Sequence, residues 1–136
     1  MKYLVCYDKS TASIKAMKVA AKRAKETGTF VYLVMSTASD ITKDGIIKLE
    51  NELKVYADEV FKGDGVDCEF HILVRGMSPG EDILQFAKEK NVDEIIIGIK
   101  KRSKVGKLLF GSTAQLIILE ASCPVLSVLE TLNISV

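Results

Sequence analysis

The sequence predicts an α/β doubly wound domain, a three-layer arrangement with a five-stranded parallel sheet covered by helices on both faces. Three observations point there. Short apolar runs rich in Val, Ile and Tyr alternate along the whole chain with longer segments whose apolar residues recur every three or four positions. The runs are apolar almost throughout rather than alternating with polar residues, as strands buried on both faces require. Finally, 136 residues suffice for one domain with a real core and are too few for two ordinary ones, so residues 1–136 are read as a single domain.

The first run, KYLVCY from Lys2 to Tyr7, is a strand that stops at Asp8-Lys9-Ser10. Ser10 is an N-cap for a helix from Thr11 to about Thr27, with Ile14, Met17, Ala21 and Ala24 on one face and Gly28 at its end. A second strand runs from Thr29 to Ser36, followed by a polar loop from Thr37 to Thr42. Ile46, Leu49, Leu53 and Val60 mark the buried face of a second helix from about Lys43 to Phe61, opposite Lys48, Glu50, Glu52 and Lys54. Gly63-Asp64-Gly65 forms a turn into a third strand, Val66 to Val74. That strand carries His71, the single histidine, which has no second ligand or nucleophile near it in sequence and is read as structural.

After the turn at Arg75-Gly76-Met77, Ser78-Pro79-Gly80-Glu81 is a capping box opening a third helix, which Asn91 ends after about Lys90. The fourth strand spans Glu94 to Gly98, the fourth helix Ser112 to Ala121 and the fifth strand Pro124 to Leu129; the tail from Glu130 carries no assignment. Right-handed crossovers leave two common strand orders, 3-2-1-4-5 and 2-1-3-4-5, and the first is the order expected here. In that order the winding reverses between strands 1 and 4. The ligand crevice then lies between Asp8 and Gly98.

Charge sharpens this expectation. The chain carries only +1 overall, which argues against a general nucleic-acid binder. Five cations, Lys100, Lys101, Arg102, Lys104 and Lys107, sit in one loop after strand 4, and the rest of the chain carries −4. This basic loop leads to Gly111-Ser112-Thr113 at a helix start, where free N–H groups and the positive end of the helix dipole favour an anion such as phosphate. Ser112 can add its hydroxyl or cap the helix, and the local pattern favours the cap. The P-loop pattern fails, because Gly106-Lys107 precedes Leu108, and no G-x-G-x-x-G follows a strand. Cys6, Cys68 and Cys123 are far apart, without metal or redox spacing, and are read as reduced buried thiols. Mean hydropathy is +0.18, yet no apolar run approaches the roughly 20 residues of a membrane span. A cytoplasmic protein without signal peptide or membrane anchor is expected.

Asp8-x-Ser10 after strand 1, Ile96-Ile97-Gly98, Gly111-Ser112 and Cys123-Pro124-Val125-Leu126, in this order of elements, resemble the universal stress protein family over essentially the whole chain. The family's nucleotide pattern is glycine, two residues, glycine, nine residues, glycine, then Ser or Thr. Gly98 and Gly111-Ser112 fall at the right separation, while Lys101 occupies the middle glycine position. The resemblance implies an ATP-binding stress-response switch or sensor, with or without Mg²⁺. It places Asp8 against the adenine or ribose, with Cys6 near the base and Ser36 and Ile97 lining the base pocket. Gly98 and Lys101 would meet the phosphates through backbone N–H groups, and Gly111, Ser112 and Thr113 would hold the terminal ones. It also implies a homodimer through Pro124 to Leu129, whose edge position leaves backbone groups to pair.

Lys101 supports an alternative, a dimeric stress-response interaction protein of the same fold that binds no nucleotide. A left-handed backbone at that position would cost a side chain roughly 1 to 2 kcal/mol, whereas an ammonium pairing with phosphate oxygens would offset this. As an enzyme the chain would be at most a slow ATPase, because Asp8 is better placed for the base and ribose than for activating water.

Overall fold

The computed structural model describes residues 1–100 and 110–131. Strands β1 (Lys2–Cys6), β2 (Phe30–Ser36), β3 (Cys68–Leu73), β4 (Glu94–Ile99) and β5 (Val125–Leu129) form one parallel sheet in the order β3-β2-β1-β4-β5. Helices α1 (Thr11–Thr27), α2 (Lys43–Tyr56), α3 (Pro79–Lys90) and α4 (Ser112–Glu120) connect them. The fold class and strand order read from the sequence are those observed.

Successive side chains of a strand point to opposite faces, and the core divides accordingly. Tyr3, Val5, Tyr7, Val31, Leu33 and Ile96 meet Ala16, Met17 and Ala20 of α1 and Leu53 of α2 on one face. Leu4, Tyr32, Val34, Ile95, Ile97 and Ile99 meet Ile83 and Phe86 of α3 and Ile117 of α4 on the other. The chain therefore builds α1 and α2 on one side, jumps back across β1, and places α3 and α4 on the other. The winding reverses between β1 and β4.

Element boundaries show local chemistry. Ser10 accepts from the Ser13 N–H at the start of α1, and Gly28 closes it at φ 67°, the left-handed conformation that glycine adopts without a Cβ penalty. Ser78 caps α3, with Pro79 in its first turn, and Asn91 ends it at φ 52°. The second helix keeps α-helical geometry only to Tyr56; Ala57–Phe61 is a π-helical turn and Lys62–Asp64 a 3-10 turn. Leu53, Ala57 and Phe61 are all fully buried at intervals of four. Each such step overshoots a complete α-helical turn by about 40°, and the wider turn brings Phe61 back onto the sheet. At the start of α4, Gly111 is the N-cap and makes no side-chain cap bond, so Ser112 is the first helical residue rather than the cap expected from sequence. The local pattern could not separate the two, since both precede the first apolar residue of the helix.

Candidate functional site

A cleft of about 230 Å³ opens at the carboxyl ends of β1, β2 and β4, at the winding reversal. This is where doubly wound sheets place their ligands, and the volume falls just below the roughly 300 Å³ lower end for small-molecule sites. Its walls come from Cys6 at the end of β1 with Tyr7 and Asp8 after it, Met35 and Ser36 on β2, and Ile97 and Gly98 on β4. Ser13 of α1, Pro79 and Ile83 of α3, and Thr113, Ala114 and Ile117 of α4 complete it. Three helix N-termini thus converge on one opening. Ile83, Ile97 and Ile117 are buried and apolar, while Asp8, Ser13, Ser36 and Thr113 supply polar groups, a combination suited to a flat ring carrying a polar tail.

Of the residues singled out in sequence, Asp8, Ser36, Ile97, Gly98 and Thr113 line this cleft, as does Cys6. Gly111 and Ser112 stand next to it in chain, exposed at the first turn of α4. Lys101 lies outside the described residues. Tyr7, Ser13, Met35, Pro79, Ile83, Ala114 and Ile117 were not foreseen. Pro79 and Ile83 carried a signal, because a capped helix start in this fold faces the same sheet end as β2.

The β1–α1 turn is held from several directions. The Asp8 N–H donates to Ser13 Oγ at 3.3 Å, and Asp8 Oδ1 accepts the Ser10 N–H at 3.0 Å together with the Ser10 hydroxyl. Ser13 Oγ donates in turn to the Ser10 carbonyl at 2.8 Å. Lys9 takes φ 70°, a left-handed conformation that costs a side-chain-bearing residue about 1 to 2 kcal/mol. Its ammonium lies 3.6 Å from Glu52 Oε2, and Glu52 Oε1 accepts the buried Tyr7 hydroxyl at 2.5 Å. Glu52 of α2 therefore ties down both neighbours of Asp8. Burial, and then this bond to Glu52, push the Tyr7 phenol above its ordinary range. Burial, and then the nearby Asp8 charge, do the same to the Cys6 thiol, which stays protonated and unreactive.

On the β2 side, Ser36 Oγ donates at 2.9 Å to Oδ2 of Asp82, a fully buried carboxylate in the first turns of α3. Arg75 donates from Nε to Asp82 Oδ1 at 2.6 Å, from Nη2 to the Asp82 carbonyl at 3.1 Å, and from Nη1 to Glu89 at 2.7 Å. Burial opposes the charge on Arg75, but its bonds to Asp82 and Glu89 outweigh that and raise its pKa; the Arg75 bond holds Glu89 below its usual range. Nothing local in the sequence joins Ser36 to Asp82 or to Arg75.

Gly98 and Gly111 share one expected role but differ in surroundings. A Cβ on Gly98 would stand 2.3 Å from the Ala12 carbonyl carbon and 2.6 Å from the Ser13 nitrogen, so β4 carries glycine there to let α1 lie against it. Among the described residues, a Cβ on Gly111 would meet nothing within 4 Å.

These features define a doubly wound domain whose cleft is built from three strand ends and three helix N-termini at the switch point. The profile of the Universal stress protein family matches residues 1–128. The chain belongs to the universal stress protein family. A universal stress protein of Thermus aquaticus is 33% identical, over 92% of this chain and 96% of its own. A universal stress protein structure from Archaeoglobus fulgidus superposes with a TM-score of 0.81 at 37% identity, covering 94% of this chain and 98% of that one. Another from Archaeoglobus fulgidus, solved in complex with dAMP, has a TM-score of 0.77 at 32% identity, covering 94% and 97%.

Proposed function

We propose that this protein binds adenine nucleotides in the β1–β4 cleft and acts as a homodimeric, nucleotide-responsive stress protein with ATP as its physiological ligand. The observation that carries the proposal is the convergence of Asp8, Ser36, Ile97, Gly98 and Thr113 on one cleft, in a chain 32% identical to a protein whose structure is in complex with dAMP. The apolar floor takes the base, Asp8 and Ser36 stand beside base and ribose, and Gly111, Ser112 and Thr113 at the α4 N-terminus receive the phosphates. Lys101 adds a cation to that end. The edge strand β5, with Leu129 exposed, pairs with a second copy. Turnover is at most slow on this reading, because Asp8 is committed through Oδ1 to Ser10 and stands beside base and ribose rather than an attacking water. The cytoplasm is the compartment proposed.

The test is the melting temperature with and without millimolar ATP and Mg²⁺, compared with GTP. A ligand that binds only the folded state raises it, adding about 2.7 kcal/mol of stability at a hundredfold excess over Kd. A rise with ATP supports the proposal. No rise with any adenine nucleotide overturns it and favours the second reading, an interaction protein without nucleotide, for which Lys101 in the glycine pattern is the specific support.

A further inference from the structure

We propose that the outer layer formed by α1 and α2 is a docking face for an anionic lipid bilayer, with a lysine stripe on α1 supplying charge and Ile47 and Val55 of α2 supplying apolar contact. Basic charge is peculiar to α1, which contains five cations and one acid, whereas α2 balances three against three and α3 carries two against three. Lys15, Lys18, Lys22 and Lys25 recur at intervals of three, four and three, so they share the helix face opposite the buried Ala16, Met17, Ala20 and Ala24 and span about 15 Å. Lys18, Lys22 and Lys25 are exposed, and Glu26 is the one acid beside them. Lys9, Arg23, Lys54, Lys62 and Arg75 each pair with a carboxylate. Among the described residues the four stripe lysines pair with none, and Lys15 alone donates to a backbone group, the Glu130 carbonyl. Like charges three and four residues apart repel along a helix, and this repulsion is relieved when an anionic surface meets the stripe.

The composition of the layer selects the partner. A protein interface is depleted in lysine and enriched in arginine and aromatic residues, and a nucleic-acid site adds arginine forks or stacking rings. The outward side of α1 has none of these, because Arg23 is turned to Glu94 and the Tyr3 ring. A bilayer asks for something different. Lysine keeps its ammonium hydrated among the headgroups while its stem lies along apolar surface, and a cluster of four or more responds to the negative potential of an anionic leaflet. Ile47 and Val55 are 55% and 51% exposed, on the side of α2 away from the buried Leu49 and Leu53. The apolar face of α1 is spent in the core, so this helix adsorbs through charge and α2 supplies shallow aliphatic insertion. Such peripheral docking needs no spanning helix, and no described helix is long and apolar enough to be one. None of these residues lines the cleft or belongs to β5, so the face is separate from both sites proposed above.

The experiment is sedimentation of the intact protein with vesicles of phosphatidylcholine alone and with vesicles of two parts phosphatidylcholine to one part phosphatidylserine, at ionic strengths of about 0.05 and 0.5 M. The expected result is partition onto the phosphatidylserine vesicles alone, lost at the higher ionic strength. Lys18→Gln/Lys22→Gln/Lys25→Gln weakens it about a hundredfold, because each lysine near an anionic surface is worth about fivefold. Ile47→Gln/Val55→Gln weakens it about tenfold and leaves its salt dependence in place. All five positions are exposed, so the melting temperature of both variants stays at the parent value. Equal partition onto both kinds of vesicle, or none onto either at low ionic strength, overturns the inference. An unchanged partition in the lysine variant also overturns it, and assigns the charge to the five cations between Lys100 and Lys107. An unchanged partition in Ile47→Gln/Val55→Gln, or tighter binding to a DNA duplex than to the vesicles, overturns the bilayer as partner in favour of a polyanion without an apolar phase.

Discussion

The two lips of the cleft are built on opposite plans. On the α1 side, backbone packs against backbone. Gly98 lies against Ala12, Asp8 and Ser13 exchange hydrogen bonds with Ser10, and Glu52 holds Tyr7 and Lys9. On the α4 side, Gly111 has no neighbour close to its Cα among the described residues, the helix start lacks a side-chain cap, and Ser112 and Thr113 are exposed. One lip is held by backbone and side-chain bonds of its own, and the other is a helix start whose first-turn N–H groups are those that an α-helix leaves without an intrahelical partner. Two glycines of a single motif thus serve different ends. Gly98 permits the fold, while Gly111 stands at the helix start proposed to receive the phosphates.

Substitution of the two glycines breaks the comparison most directly. Gly98→Val forces a side chain into backbone at 2.3 Å, and the expected loss exceeds about 3 kcal/mol, read as a collapsed melting transition or insoluble protein. A Gly98→Val protein that melts like the parent would show that α1 does not depend on this approach. Glu52→Ala comes next. It leaves the buried Tyr7 hydroxyl without its acceptor and releases Lys9, for an expected loss of about 1 to 3 kcal/mol in urea unfolding, and nucleotide affinity falls as the turn carrying Asp8 loosens.

A smaller effect belongs to the α3 and α4 face. His71 packs against Tyr32 and Phe86 at ring distances of 5.8 and 5.1 Å, and its Nε2 is buried with no hydrogen-bond partner among the described residues. Burial lowers its pKa below the ordinary 6.5, outweighing the attraction of Glu69. The unfolded chain then binds the proton more readily, so this contribution to stability is present above about pH 6.5 and is lost as pH falls below it toward the folded value. Melting profiles of His71→Phe should lack that part of the acid decline. A slope unchanged by the substitution would assign it to other groups.

Gly111→Val has the least effect on stability. Its φ of −64° suits any residue, so the melting temperature should change by less than about 1 kcal/mol equivalent. Nucleotide affinity should nevertheless fall at least tenfold, because the new side chain occupies space beside the position proposed for the phosphates. Parent-like affinity in a folded Gly111→Val protein would remove the α4 lip from the site.

Much of this architecture was legible in the chain. Five apolar runs, the caps at Ser10 and Ser78, and the stops at Gly28 and Asn91 are local signals, and each reappears in the fold. Alternation of strand and helix, with right-handed crossovers, then leads to the parallel sheet and its reversal between β1 and β4. The cleft follows from that reversal, which is why Asp8 and Gly98 can be placed on it without coordinates.

The tertiary structure alone decided the rest. That Gly98 makes room for Ala12 depends on how closely a helix settles on a strand, a distance no periodicity records. The π-helical turn at Ala57–Phe61 answers to the sheet beneath it and not to the propensity of its residues. The chain from Ser36 to Asp82 to Arg75 joins an end of β2 to a helix start 46 positions away. Local propensity and hydrophobic period act over a few residues and determine which elements form. The register between those elements determines which polar groups meet, and so that the Ser36 hydroxyl at the cleft reaches a buried carboxylate.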